Sequence, residues 1–154
     1  MQVKERAHFQ YIEQGEGHPL VLLHGLFGAL SNWQATMDYF SQRYKVVIPL
    51  IPIYRGKPVM KDLTDIENFI LEFIEMQGYD KVSLIGNSLG GHIGLLLTLN
   101  HPEKVKTLTL TGSSGLFEHG MGVGFVKRGN YDFIKERVEY TFYSPETATK
   151  ELVD

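Results

Sequence analysis

The stretch that most constrains this chain is Gly86-Asn87-Ser88-Leu89-Gly90. An apolar run, Val82 to Ile85, precedes it and reads as a short buried strand, while Gly91 to Leu99 reads as an apolar helix. A serine between such a strand and such a helix sits on a tight turn, so its hydroxyl lies along neither element and projects above the sheet edge. Gly86 and Gly90 lack the β-carbons that would collide where strand and helix pass closely, and glycine accepts the strained dihedrals of a sharp turn. Ser88 is therefore a candidate nucleophile.

The rest of the chain supplies the layers around that turn. His8 to Glu13 alternates, with Phe9 and Tyr11 flanking Gln10, and breaks at Gly15-Glu16-Gly17, which predicts a half-buried strand turning back as a hairpin into the next. Leu20 to Leu23 is continuously apolar up to His24-Gly25, as a central strand covered on both faces would be. Ser31-Asn32-Trp33-Gln34 and Thr64-Asp65-Ile66-Glu67 both have the spacing of a capping box. Trp33, Met37 and Phe40 follow the first at helical intervals. Leu63, Ile66, Ile70, Phe73, Ile74 and Gln77 mark one face of a second helix, which stops at Gly78.

Val46 to Ile48 is another short strand, ended by Pro49 and Pro52, and Ile53 to Met60 reads as an irregular excursion. His101-Pro102 ends the helix that follows Ser88, and Val105 to Thr111 is the last clear strand. Strands alternating with helices predict an α/β fold with a mainly parallel sheet and helices on both faces. Sites in such folds lie at the carboxyl ends of the strands, where both Ser88 and the loop after His24-Gly25 fall.

Residues 1–111 are expected to form this core and residues 112–154 a separate region. Gly112 to Gly124 is a glycine-rich connection; Tyr131, Ile134, Val138 and Phe142 then recur at helical spacing, and Ser144-Pro145-Glu146 looks like the cap of a further helix.

Composition removes several function classes. Fifteen Lys plus Arg against eighteen Asp plus Glu, with no long run of either sign, argues against nucleic acid or an anionic membrane as partner. The absence of cysteine excludes disulfides, thiolate metal sites and a cysteine nucleophile. A polar start, Met1 to Arg6, and the lack of any run of membrane-spanning length predict a cytoplasmic protein. Histidines and carboxylates never reach ligand spacing, so no metal is expected, and nothing in the sequence implies an organic cofactor. Gly120-Met121-Gly122-Val123-Gly124 lacks the final glycine of a dinucleotide fingerprint.

With Leu20-Val21-Leu22-Leu23-His24-Gly25-Leu26-Phe27-Gly28 and Gly86-Asn87-Ser88-Leu89-Gly90-Gly91-His92 in this order, the sequence resembles the α/β-hydrolase fold superfamily. Within it, the closest likeness is to lid-bearing esterases and carbon–carbon bond hydrolases. The resemblance implies an incomplete α/β-hydrolase core and the beginning of a helical lid within 112–154. It makes Ser88 the nucleophile toward a small molecule with a carbonyl group. The backbone N–H groups of Leu89 and Leu26 would form the oxyanion hole, with Phe27 the second choice for the latter. His24 and Gly25 would support that loop, and Gly86 and Gly90 would shape the elbow. Two fixed donors, one aided by a helix dipole, stabilise charge developing on a carbonyl oxygen in a water-poor site.

In the superfamily, the acid and the catalytic histidine follow the lid. No residue here matches either. His92 would point along the core, His101 lies at the far end of its helix, and His8 and His18 belong to the opening hairpin. His119 beside Glu118 is on the correct edge, but adjacent side chains diverge. The chain is therefore expected to be the N-terminal portion of a longer hydrolase, nearly inactive by itself. Its open sheet edge would invite self-association. The alternative is a non-catalytic small-ligand receptor or interaction module on the same fold.

Overall fold

The computed structural model describes residues 2–26, 30–53 and 60–116, together with 132 and 135. The chain divides into two compact units, Met1–Phe117 and Glu118–Asp154. In the second, Asp132 and Lys135 are helical. The expected lid helices, the excursion at 54–59 and the Glu118-His119 pair otherwise lie outside the described residues.

The first unit is built on six strands: β1 (Val3–Arg6), β2 (Phe9–Gln14), β3 (Pro19–Leu23), β4 (Lys45–Pro49), β5 (Val82–Asn87) and β6 (Val105–Thr111). Its helices are α1 (Gln34–Phe40), α2 (Leu63–Met76) and α3 (Leu89–Asn100). The sheet order is β1-β2-β4-β3-β5-β6; β4, β3, β5 and β6 run parallel, and β1 and β2 add an antiparallel edge. This is the α/β architecture that alternating strands and helices predict.

The continuous apolar strands are buried on both faces because each face meets a different helical layer. Val21, Leu23, Val47 and Leu84 share a cluster with Ile66, Phe69, Ile70 and Phe73 of α2 and Ile93 and Leu97 of α3. Leu20, Leu22, Val46 and Ile48 point the other way, onto Trp33 and Met37. Phe73 meets the rings of Phe9 and Tyr11 edge-on, at 5.5 and 5.4 Å between centroids.

Two local expectations are corrected. The first is the hairpin. β2 and β3 are not neighbours: β4 lies between them, with Ile12 opposite Ile48. A strand apolar on both faces needs ladder partners on both edges, and β3 finds them in β4 and β5. Gly15, at φ 81°, instead lets the chain pass against the carbonyls of Ser41 and Tyr44 without room for a β-carbon.

The second is helix capping. Ser31 falls inside a 3₁₀ turn, Leu30–Trp33; α1 begins without a side-chain cap, and Gln34 bonds Asp38 at 2.8 Å instead. The cap of α2 is Asp62, which accepts from the Asp65 N–H at 3.0 Å while Asp65 accepts from the Lys61 N–H at 2.8 Å. The capping pair therefore sits two residues earlier than Thr64 and Glu67, with a carboxylate where the helix dipole favours it. Glu67 is freed to turn inward, where it is buried and accepts from Asn100 Nδ2 at 2.8 Å.

One strand was not anticipated from the sequence: β1 is exposed at every residue and so has no apolar pattern. It is held by its ladder with β2 and by Lys4 on Glu13 at 2.8 Å.

Among the described residues, no helix is long and apolar enough to cross a membrane.

Candidate active site

Ser88 follows β5 directly and is the N-cap of α3, with φ 52° and ψ −119°. Among the described residues, Ala7 is the other non-glycine with positive φ. Such a conformation costs about 1–3 kcal/mol and persists only where its surroundings hold it. Those surroundings are glycines. A β-carbon on Gly86 would lie 2.5 Å from the Gly90 carbonyl oxygen, and one on Gly90 would overlap the carbonyl of Leu23. The first turn of α3 thus rests directly on the ends of β5 and β3, and Ser88 remains exposed.

Parallel pairing of β3 with β5, with Leu23 opposite Gly86, brings the two distant motifs together. A β-carbon on Gly25 would be 3.0 Å from Ser88 Cβ, so the turn carrying Leu26 runs beside the serine. Leu89 opens α3, and its N–H is among the donors that a helix leaves without an intrahelical partner. Leu26 lies in the adjacent turn and is 43% exposed; Phe27 lies outside the described residues.

His24 has both ring nitrogens engaged. Nε2 accepts from the Ile51 N–H at 3.2 Å, which leaves Nδ1–H to donate to the Gly25 carbonyl at 2.9 Å. The ring ties the end of β3 to the segment leaving β4, and neither nitrogen is available to the Ser88 hydroxyl. His92 lies beneath Gly115, where a β-carbon would come 2.6 Å from its Cδ2. His101 is 3.8 Å from Glu67 and His8 is 3.9 Å from Glu72. His18 does not simply belong to a hairpin: its Nε2 is 3.1 Å from Ser83 Oγ. None of these described histidines has Ser88 as a side-chain partner.

A cavity of about 220 Å³ opens beside the turn, lined by Gly25, Asn32, Trp33, Asn87 and Thr111. Sequence reasoning assigned no role to Asn32, Asn87 or Thr111. The available signal for Asn87 and Thr111 was their place at the carboxyl ends of β5 and β6; Asn32, in the 3₁₀ turn, carried none. The arrangement offers an exposed hydroxyl on a strained turn, at the N-terminus of a helix and next to a small cavity. Among the described residues, no group of three or more His, Asp or Glu could hold a metal.

Residues 18–127 match the family model for the alpha/beta hydrolase fold. The chain is 34% identical over 135 residues to a 2-hydroxy-6-oxo-6-(2'-aminophenyl)hexa-2,4-dienoic acid hydrolase of Metapseudomonas resinovorans, a match covering 82% of this chain and 46% of that protein. An alpha/beta hydrolase enzyme from the metagenome of lagoon sediments at Mar Chica, Morocco, shares 46% identity with a TM-score of 0.71, over 77% of this chain and 54% of that one. A meta-cleavage product hydrolase, CumD, superposes over 99% of this chain and 60% of its own at TM-score 0.78, and at 23% identity that likeness speaks for the fold alone. The chain thus spans about half the length of the proteins it matches. With the elbow, the adjoining glycine turn and the family match in agreement, this chain belongs to the alpha/beta hydrolase fold family.

Proposed function

We propose that this chain carries the nucleophile and oxyanion hole of a serine hydrolase acting on small molecules at an ester or a related bond next to a carbonyl, activated carbon–carbon bonds included. The observation that carries the reading is Ser88 at φ 52° on the turn between β5 and α3, exposed and abutting Gly25. In this reading Ser88 Oγ attacks the carbonyl carbon, and the N–H groups of Leu89 and Leu26 stabilise the oxyanion, Phe27 being the alternative donor on the glycine turn. His24 and Gly25 support that turn, and Gly86 and Gly90 let α3 approach. The relative named as a hydrolase of a hydroxy-oxo-dienoic acid supports the carbon–carbon end of this range. None of the described histidines reaches Ser88, so in this reading the 154-residue chain by itself reacts slowly.

One observation favours a second reading, a small-ligand receptor on the same fold. None of the described histidines bonds Ser88, so the cavity beside it can hold a ligand without activating the hydroxyl.

Labelling with a fluorophosphonate, followed by intact mass and peptide mapping, separates the two. The hydrolase reading expects slow labelling of a single site at Ser88, absent from Ser88→Ala. Labelling that persists in the mutant, or none in a folded chain at high probe concentration, would overturn it.

A further inference from the structure

We propose that Asn87 is a positioning residue whose side-chain amide clamps the end of β5 to Thr111 at the end of β6 and so holds the backbone of Ser88. Its functional meaning rests on the reading of Ser88 as nucleophile.

Asn87 Nδ2 donates to the Thr111 carbonyl at 2.9 Å and to Thr111 Oγ1 at 3.2 Å. A backbone carbonyl can only accept, so the NH₂ end of the amide must face Thr111. Oδ1 is then turned toward Gly25, whose β-carbon would lie 3.5 Å from it. Both contacts of the Asn87 amide nitrogen go to Thr111, so the amide is tied to the end of β6.

The same Thr111 carbonyl also accepts the Ser88 N–H, at 3.2 Å. Asn87 and Ser88 thus hold one acceptor from two directions. The other side of the Ser88 peptide is held as well: its carbonyl accepts from the Ser114 N–H at 3.3 Å and from Ser114 Oγ at 3.4 Å. Ser113 fills the space where Gly91 would carry a β-carbon, and Gly115 covers His92. Residues 111 to 115 therefore grip the turn from the β6 side, opposite the glycine turn at Gly25. A strained residue stays in place when its neighbours over-determine it, and this grip supplies that constraint.

The test is amide hydrogen exchange by NMR on the 154-residue chain, wild type against Asn87→Asp, with fluorophosphonate labelling in parallel. Asn87→Asp preserves shape and sets an acceptor against the Thr111 carbonyl. The clamp predicts roughly tenfold faster exchange at Ser88 and Ser114, less than about threefold at Leu84 and Val21, and about tenfold slower labelling of Ser88. Should Asn87→Asp fail to fold, Thr111→Val, which keeps the carbonyl and loses only Oγ1, is expected to raise Ser88 exchange about threefold. Unchanged exchange at Ser88, or equal acceleration at core and turn, overturns the proposal. A wild type that does not label at all sinks the hydrolase reading instead, and exchange still decides the clamp.

Discussion

Two serines five positions apart, Ser83 within β5 and Ser88 just after it, have opposite environments. Ser83 lies within β5 and is 8% exposed; its Oγ accepts from Thr107 Oγ1 at 2.9 Å and sits 3.1 Å from His18 Nε2. A serine hydroxyl beside an imidazole is the pairing usually sought at a nucleophile. Yet Ser83 is held within the sheet, opposite Leu20 on one side and Thr107 on the other next to a register shift at Val82, and its side chain is buried. Ser88 has no described histidine as partner but is exposed, strained and flanked by a helix N-terminus. Backbone placement, rather than a serine–histidine contact, is what distinguishes a reactive position here. Ser83, His18 and Thr107 instead form a polar tie across β5 and β6 at the amino end of the sheet.

The largest expected effect breaks that comparison directly. Ser88→Ala removes fluorophosphonate labelling, by more than about a hundredfold, whereas Ser83→Ala leaves its rate within about twofold. Fragmentation of the tryptic peptide Val82 to Lys104, which contains both serines, assigns the site. Label on Ser83 would reverse the assignment.

Next is the packing that makes the turn. Gly90→Ala sets a β-carbon against the immovable carbonyl of Leu23, and a loss of about 2–4 kcal/mol in urea unfolding is expected. A loss below about 1 kcal/mol would mean that α3 can slide away from β3.

The polar tie at the amino end is worth less. Ser83→Ala leaves Thr107 and His18 without their shared partner and is expected to lower stability by about 1–2 kcal/mol, read by the same unfolding curve.

The smallest effect is a pH dependence. Burial, helped by the positive charge of Lys106, lowers the His18 pKa below its ordinary 6.5. The unfolded chain therefore takes up the proton first as pH falls. Stability is full above the ordinary histidine range and declines as pH drops through 6.5 toward the folded value. His18→Gln should flatten that part of the stability profile; an identical slope in the variant would assign the dependence to another group.

Much of this was legible because it is local. The runs Leu20 to Leu23 and Val82 to Ile85 declared strands covered on both faces, and the two glycines around Ser88 declared a turn too tight for side chains. What misled was also local. Thr64 and Glu67 matched a capping pattern, but Asp62 offered a carboxylate at the helix start, and Glu67 found Asn100 on a neighbouring helix. β1 carried no signal because every one of its residues faces solvent, and the apparent hairpin ignored that β3 needed two partners.

The sequence alone determined that Ser88 stands on a strand-to-helix turn, since steric exclusion of β-carbons acts between residues close in the chain. Tertiary structure decided which strands adjoin. That placed Gly25 against Ser88 through the β3–β5 pairing and Thr111 against Asn87 through the β5–β6 pairing. Hydrogen bonds across a sheet depend on register between distant segments, and no residue spacing encodes them.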